Sequence, residues 1–143
     1  MITHSKYHVE AKGLTVRPYR PSDAPALRVM YQAEGIQESE TNFANGGTGV
    51  LVKGDEIIGV FTLELNFIHV HLRHFCVARG HRRDQSNAWK MIHAAKRTAL
   101  MSGYGRMIVG AKGKRMIRIV RAYFRMMPYG QADDGTAFFL VRT

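Results

Sequence analysis

The sequence predicts a mixed α/β domain with a largely antiparallel central sheet, flanking helices and a bulged fourth strand. Six β-rich segments alternate with three segments whose apolar residues recur at helical spacing. The segment 48–67 consists of two β-rich runs around "KGDE", which is typical of a hairpin. In the segment 68–79 the apolar residues change faces partway along, which indicates a bulge.

The first strand and helix are predicted in the segment 13–35. The run "GLTVRPYR" alternates and is β-rich. Ser22 or Asp23 is the expected N-cap of a helix that buries Leu27, Met30 and Tyr31 and ends at Gly35. The following "IQESETNFANGG" is interpreted as a loop or a short second helix.

The fourth strand carries the break in apolar pattern. Val70 and Leu72 share one face, whereas Phe75 and Val77 have the opposite parity. One extra residue near position 73 or 74 would return both pairs to one face.

The second half of the chain continues with a helix, a strand, a helix and a strand. The helix 86–105 is predicted to bury one apolar face and to end at Gly103, and "RMIVGAKG" is predicted as a buried strand. A helix is predicted over 114–127, and "TAFFLVRT" is the closing strand. The apolar residues of the two helices are Ala88, Met91, Ile92, Ala95 and Ala99 in the first, and Met116, Ile117, Val120 and Phe124 in the second.

Length and composition favour one domain over 13–143, preceded by an N-terminal extension at 1–12. A chain of 143 residues with 45% hydrophobic and 22% charged residues can bury a core of its own. Neither a membrane-spanning run nor a secretory signal is found. Cys76 is the single cysteine and lies in an apolar run, which fits a cytoplasmic protein and does not suggest a nucleophile.

The positive charge is concentrated in one part of the chain. The formal net charge is +10, and residues 65–132 hold fourteen Lys or Arg against one acid, Asp84. In the predicted helix 114–127, four basic residues lie on the face opposite the apolar stripe: Lys114, Arg118, Arg121 and Arg125. Phosphates, nucleic acid or an acidic protein surface are the partners that such a field attracts.

The opening strand and helix of the sequence resemble those of a known protein family. "LTVRPYRPSDAPALRVM" is similar to the opening strand and first helix of the GCN5-related N-acetyltransferases (GNAT), in which an Arg-Pro pair is followed by the Asp that starts the helix. The resemblance covers the chain from Gly13 to Thr143. It implies the GNAT fold, whose fourth strand is bulged and separates from the fifth to admit acyl-CoA.

The resemblance also implies a cofactor loop. The family motif Gln/Arg-x-x-Gly-x-Gly/Ala, whose backbone amides bind the CoA pyrophosphate, matches the stretch Arg82, Arg83, Asp84, Gln85, Ser86 and Asn87. The first arginine is present, but Gln85 and Asn87 fill both glycine positions. The backbone of Phe75, Cys76 and Val77 is implied to position the pantetheine and to polarise the thioester of acetyl-CoA.

Two catalytic residues are implied by the same comparison. Tyr123 corresponds to the tyrosine that protonates the leaving thiolate, and Tyr129 is a fallback. Glu64 is the expected base that deprotonates an acceptor amine. His69, His71 and His74 lie close together in sequence, but no further ligand completes a set, so no metal is expected.

Two classes of function therefore stay open. The first is an N-acetyltransferase that uses acetyl-CoA and an amine substrate. The second is a non-catalytic GNAT-like protein that uses its basic half to bind nucleic acid or an acidic protein surface in an assembly. Small virion-associated phage proteins that resemble the family and have degraded cofactor loops are the precedent for this class. No membrane partner is expected under either, and the second would place the protein in a virion.

Overall fold

The computed structural model describes residues 13–36, 47–65, 69–111, 117–118, 120–121 and 126–143. The predicted extension 1–12 and most of the segment 36–47 lie outside these residues. Within the described residues, two helices have both ends defined, α1 (Ala24–Ala33) and α2 (Gln85–Met101). The strands are β1 (Leu14–Pro18), β2 (Thr48–Lys53), β3 (Glu56–Leu65), β4 (Val70–Val77), β5 (Arg106–Ala111), β6 (Met126–Gln131) and β7 (Ala137–Arg142).

The seven strands form a sheet in the order β1-β2-β3-β4-β5-β7-β6. β1 pairs antiparallel with β2, and β7 pairs antiparallel with both β5 and β6. β4 and β5 are parallel. The prediction of a mixed, largely antiparallel α/β sheet is confirmed.

The described residues divide into two compact units. The first contains the chain up to Phe61 together with His74–Met91, and the second contains Thr62–Arg73 and Ile92–Thr143. A single domain over 13–143 stays a prediction. In the first unit, α1 packs against the sheet through a buried cluster, whose members are Ala24, Leu27, Met30, Tyr31, Val50, Val60 and Cys76.

An ion pair holds the turn between β1 and α1. The Arg17 guanidinium donates to both carboxylate oxygens of Asp23 at 2.8 Å, and the Arg20 backbone N–H donates to the same carboxylate at 2.8 Å. Asp23 directly precedes α1, as expected, but its side chain does not cap the helix. The carboxylate instead caps the short 3-10 helix Pro21–Asp23, by accepting the Arg20 backbone N–H.

β4 is irregular where the apolar pattern breaks. His74 has φ of 53°, the only positive φ of a non-glycine residue in the described part of the chain. The parallel pairing with β5 joins Val70–Leu72 to Met107–Val109 and ends there. Beyond His74, Cys76 and Val77 are buried and Phe75 is half-buried. Of the apolar pair that the bulge was expected to return to the face of Val70 and Leu72, Val77 is therefore buried and Phe75 only half-buried.

The second unit is built on β5 and β7, with the C-terminal part of α2. Its buried residues include Ile92, Ala95 and Ala99, as the helical spacing predicted. Gly103, with φ of 92°, follows the end of α2. The prediction of a helix extending to position 127 is wrong at its end, because Met126 and Met127 belong to β6. Residues 117, 118, 120 and 121 are helical, as expected.

Candidate functional site

The basic turn between β4 and α2 lies where the resemblance places an anion-binding loop. β4 ends at Val77, a 3-10 turn covers Arg79–His81, and α2 begins at Gln85. The first N–H groups of a helix have no partner within the helix, and the helix dipole makes this end attractive to anions. The groups that surround these N–H groups therefore decide what the loop can bind.

The Asp84 carboxylate already occupies the start of α2. Its Oδ1 accepts the backbone N–H of Ser86 at 3.0 Å and the Ser86 hydroxyl at 2.6 Å. These two hydrogen bonds lower the pKa of Asp84, so the carboxylate stays ionised at neutral pH. The chain thus supplies its own anion as an N-cap.

The two positions that hold glycine in the family motif are filled by side chains. Asn87 is 3% exposed, and its Nδ2 donates to the His81 carbonyl at 2.9 Å. This side-chain bond connects α2 to the preceding turn. The Asn87 backbone N–H donates separately to the Asp84 carbonyl at 3.2 Å. Gln85 is exposed. Asn87 therefore has a structural role that glycine could not perform.

The arginines before the helix bind the end of α1. Glu34 Oε1 accepts hydrogen bonds from the guanidinium of Arg79 at 3.2 Å and from that of Arg82. Arg79 also donates to the Ala33 carbonyl at 2.6 Å, and Arg82 donates to the Val77 carbonyl at 2.7 Å. The two arginines lower the pKa of Glu34 despite the opposing effect of desolvation. The motif arginine, Arg82, is thus held by a carboxylate of the same chain.

Glu34 was not predicted from the sequence to belong to this site. It lies 45 residues before Arg79 and 48 before Arg82, and nothing in its local pattern indicates a partner so distant. Arg83 is exposed, and among the described residues it has no such carboxylate partner. Of the basic side chains of this turn, Arg79 and Arg82 are already paired with Glu34.

The backbone at Phe75, Cys76 and Val77 runs directly into this loop. The Val77 carbonyl accepts the Arg82 hydrogen bond, and the Ala78 N–H donates to the Ile58 carbonyl at 2.8 Å. Burial raises the pKa of the Cys76 thiol, so the thiol is a poor nucleophile at neutral pH. The structure places these three residues beside the loop that the motif indicated.

Glu64 lies in β3 and forms an ion pair with Arg73 of β4. The distance from Arg73 Nη1 to Glu64 Oε2 is 3.0 Å, and both side chains are partly exposed. His71 is also half-buried in β4, and its pKa is lowered by desolvation and by the charge of Arg73. Tyr123 and the side chain of Tyr129 lie outside the described residues, so the expected pairing of acid and base stays a prediction.

Two further sequence features have partial counterparts in the structure. Arg118 and Arg121 are exposed, whereas Lys114 and Arg125 lie outside the described residues. Over the ranges that the structure covers, no three His, Cys, Asp or Glu side chains are arranged to hold a metal ion. In those ranges no helix is long and apolar enough to cross a membrane.

Comparisons with known proteins reveal likeness in structure and not in sequence. No family model matches the chain, and no curated protein matches it significantly. Solved structures do match. A GNAT family acetyltransferase from Elizabethkingia anophelis with acetyl-CoA bound aligns over 92% of this chain and 99% of its own, with a TM-score of 0.73 and 13% identity.

Two other acetyltransferase structures agree with this result. Ard1 from Thermoplasma volcanium aligns with a TM-score of 0.67 and 16% identity, covering 91% of this chain and 97% of its own. The ribosomal-protein-S18-alanine N-acetyltransferase from Escherichia coli aligns with a TM-score of 0.68 and 15% identity, covering 90% and 93%. With its strand order, its parallel β4–β5 pair and its irregular β4, the chain therefore has the GNAT fold.

Proposed function

We propose that this protein is a non-catalytic member of the GNAT fold, and that it acts through its basic surface as a binding or assembly component. Its partner would be an acidic protein surface or nucleic acid. The observation that carries the proposal is the Asp84 carboxylate at the start of α2, bonded to the Ser86 N–H. A virion is the location that this proposal would fit, and the cytoplasm is the alternative.

The physical reason is competition for the same hydrogen-bond donors. A pyrophosphate that bound at this helix start through the Ser86 N–H would compete with the Asp84 carboxylate for that donor, and it would meet the negative charge of the carboxylate. Gln85 and Asn87 add bulk where the family has glycine, and glycine allows the backbone to approach a phosphate closely. The residues present therefore do not fit a CoA pyrophosphate well.

A second candidate function is an acetyl-CoA-dependent N-acetyltransferase. It is favoured by the positive φ of His74 and by the end of the β4–β5 pairing at Leu72, since the fold uses such an irregularity where it admits acyl-CoA. Glu64 would take the proton of the amine, and Tyr123 would be the acid. The Arg73 ion pair opposes that role for Glu64, because the Arg73 guanidinium already occupies Oε2, one of the two oxygens that could accept the proton of the amine.

Calorimetric titration with acetyl-CoA distinguishes the two candidates. We expect no measurable heat of binding at a protein concentration of about 100 μM, where even a weak ligand with a Kd near 100 μM would be detected. The control is Ser86→Glu, which adds a second carboxylate beside Asp84. Micromolar binding by the natural sequence that Ser86→Glu abolishes would overturn the proposal and support the acetyltransferase.

A further inference from the structure

The end of α2 exposes large apolar side chains in the second unit. Leu100 is 56% exposed and Met101 is 77% exposed, although both belong to a helix whose other face is buried. Arg97 precedes them by three and four residues and therefore lies on the same side of the helix. It is also exposed. This end of the helix thus combines apolar and basic side chains.

Hydrogen bonds bring the end of β7 to the turn that follows α2. The Tyr104 N–H donates to the Ala99 carbonyl at 2.9 Å, which closes the turn on the helix. The Thr143 hydroxyl donates to the Tyr104 carbonyl at 2.6 Å, and the Thr143 N–H donates to the Gly105 carbonyl at 3.1 Å. The start of β5 and the end of β7 therefore adjoin the exposed end of α2.

Two arginines face each other at this position. Arg106 of β5 and Arg142 of β7 are direct partners in the antiparallel register, and both are exposed. Side chains in such a pair start about 5 Å apart, and like charges there are destabilising. Across the residues that the structure describes, neither guanidinium has a carboxylate partner. The fold thus keeps an unfavourable pair that an anion placed between the two would relieve.

We infer that Arg97, Leu100, Met101, Arg106 and Arg142, here called the α2-end patch, bind an acidic segment of a protein partner. A carboxylate of the partner would lie between Arg106 and Arg142, and an apolar side chain would cover Met101. The inference rests on the proposed binding function and names its partner class.

Nucleic acid fits this patch less well than protein does. Phosphate contacts require only the basic groups and leave the exposed Leu100 and Met101 without apolar cover. Protein interfaces, in contrast, are enriched in Met and Arg around an apolar centre. Residues 85–132 hold ten Lys or Arg and no Asp or Glu, a charge that attracts nucleic acid and acidic protein alike, so the apolar side chains are what favour protein.

Fluorescence anisotropy with a labelled peptide of repeated Glu-Glu-Leu-Leu blocks tests the inference. We expect this peptide to bind at least about tenfold more tightly than polyglutamate of equal charge, because apolar contacts add to the charge attraction. Single-stranded DNA of equal charge should bind more weakly than the peptide. Equal binding of peptide and polyglutamate, or tighter binding of DNA, would overturn the inference.

Variants assign the binding to the patch. Arg106→Glu with Arg142→Glu, and separately Leu100→Ser with Met101→Ser, should each weaken peptide binding about tenfold. The matched control is Arg118→Glu with Arg121→Glu, which makes the same change of charge at two exposed positions outside the patch and should alter binding less than about twofold. An equal loss in the control would mean that net charge alone attracts the peptide.

A second measurement separates lost binding from lost folding. Arg142→Glu alone replaces a like-charge pair by an opposite-charge pair, so its Tm should rise by about 2 °C while peptide binding falls. A lower Tm for Arg142→Glu would contradict the claim that repulsion between Arg106 and Arg142 destabilises the fold. The acetyl-CoA titration concerns a loop in the other unit, so its failure and the failure of the peptide experiment are independent results.

Discussion

At the residue scale, three carboxylates in the described part of the chain are held by arginines of the same chain. Asp23 is bound by Arg17, Glu34 by Arg79 and Arg82, and Glu64 by Arg73. The sequence predicted the positions of Asp23 and Glu64, but it did not predict these partners. Pairs such as Glu34 and Arg82 are separated by many residues, and periodicity carries no information about contacts of that range.

Replacing Asp23 by Asn should destabilise the protein by about 2 kcal/mol. Asp23 is 4% exposed, and the change weakens two charged hydrogen bonds from Arg17 and leaves the guanidinium unpaired. Chemical denaturation measures the free energy of unfolding. Loss of less than about 0.5 kcal/mol, the usual effect of a surface substitution, would contradict this role.

The same carboxylate predicts a dependence on pH. The Arg17 hydrogen bonds lower the pKa of Asp23 in the folded state, so its contribution is complete above the unfolded pKa of about 4 and is lost as the pH falls through the lower folded value. Below pH 4 the stability of the natural sequence should therefore fall more steeply than that of Asp23→Asn. If the free energy of unfolding fell equally with pH in the two proteins, the ionised Asp23 would not contribute to stability as proposed.

At the scale of elements, β4 was predictable and β6 was not. The break in apolar parity correctly indicated an irregularity at position 73 or 74, because each face of a strand is either buried or exposed and the pattern records the change. β6 contains Pro128 and Gly130, with a register shift between them. Both residues are depleted in strands, so the sequence favoured ending a helix there instead.

Substitutions at His74 should test the positive φ of β4. His74→Val should lower the free energy of unfolding by about 2 kcal/mol, because a β-branched residue tolerates this backbone poorly. His74→Gly should cost less than about 1 kcal/mol, since glycine accepts this φ but loses the edge contact between His74 and the Tyr31 ring. Equal losses of unfolding free energy for His74→Val and His74→Gly would mean that the lost imidazole contact, and not the positive φ, determines the effect of substitution.

At the scale of the whole molecule, the excess of positive charge opposes folding while it favours acidic partners. A net charge of +10 on 143 residues repels itself in the folded state. The composition predicted this field, and the hydrophobic pattern predicted the class of fold. Neither could locate the Arg106–Arg142 pair, because that pair depends on the register of two strands.

The free protein should therefore become more stable when salt is added. Raising sodium chloride from about 20 mM to about 300 mM shortens the screening length to several ångströms and should raise the Tm by a few degrees. A neutral sugar at equal osmolarity serves as the control for effects other than screening. A Tm that falls with salt would indicate that the ion pairs outweigh the repulsion.

The carboxylate of Asp84 also competes with any dissolved anion that would bind the Ser86 N–H. Because it is tethered two residues from the Ser86 N–H, its effective concentration there is in the millimolar range or above, and it never diffuses away. A free phosphate binds only in the fraction of time for which Asp84 has turned aside, and its apparent Kd is raised in inverse proportion to that fraction. The protein thus carries a permanent intramolecular competitor at the helix start to which the family resemblance assigned the cofactor.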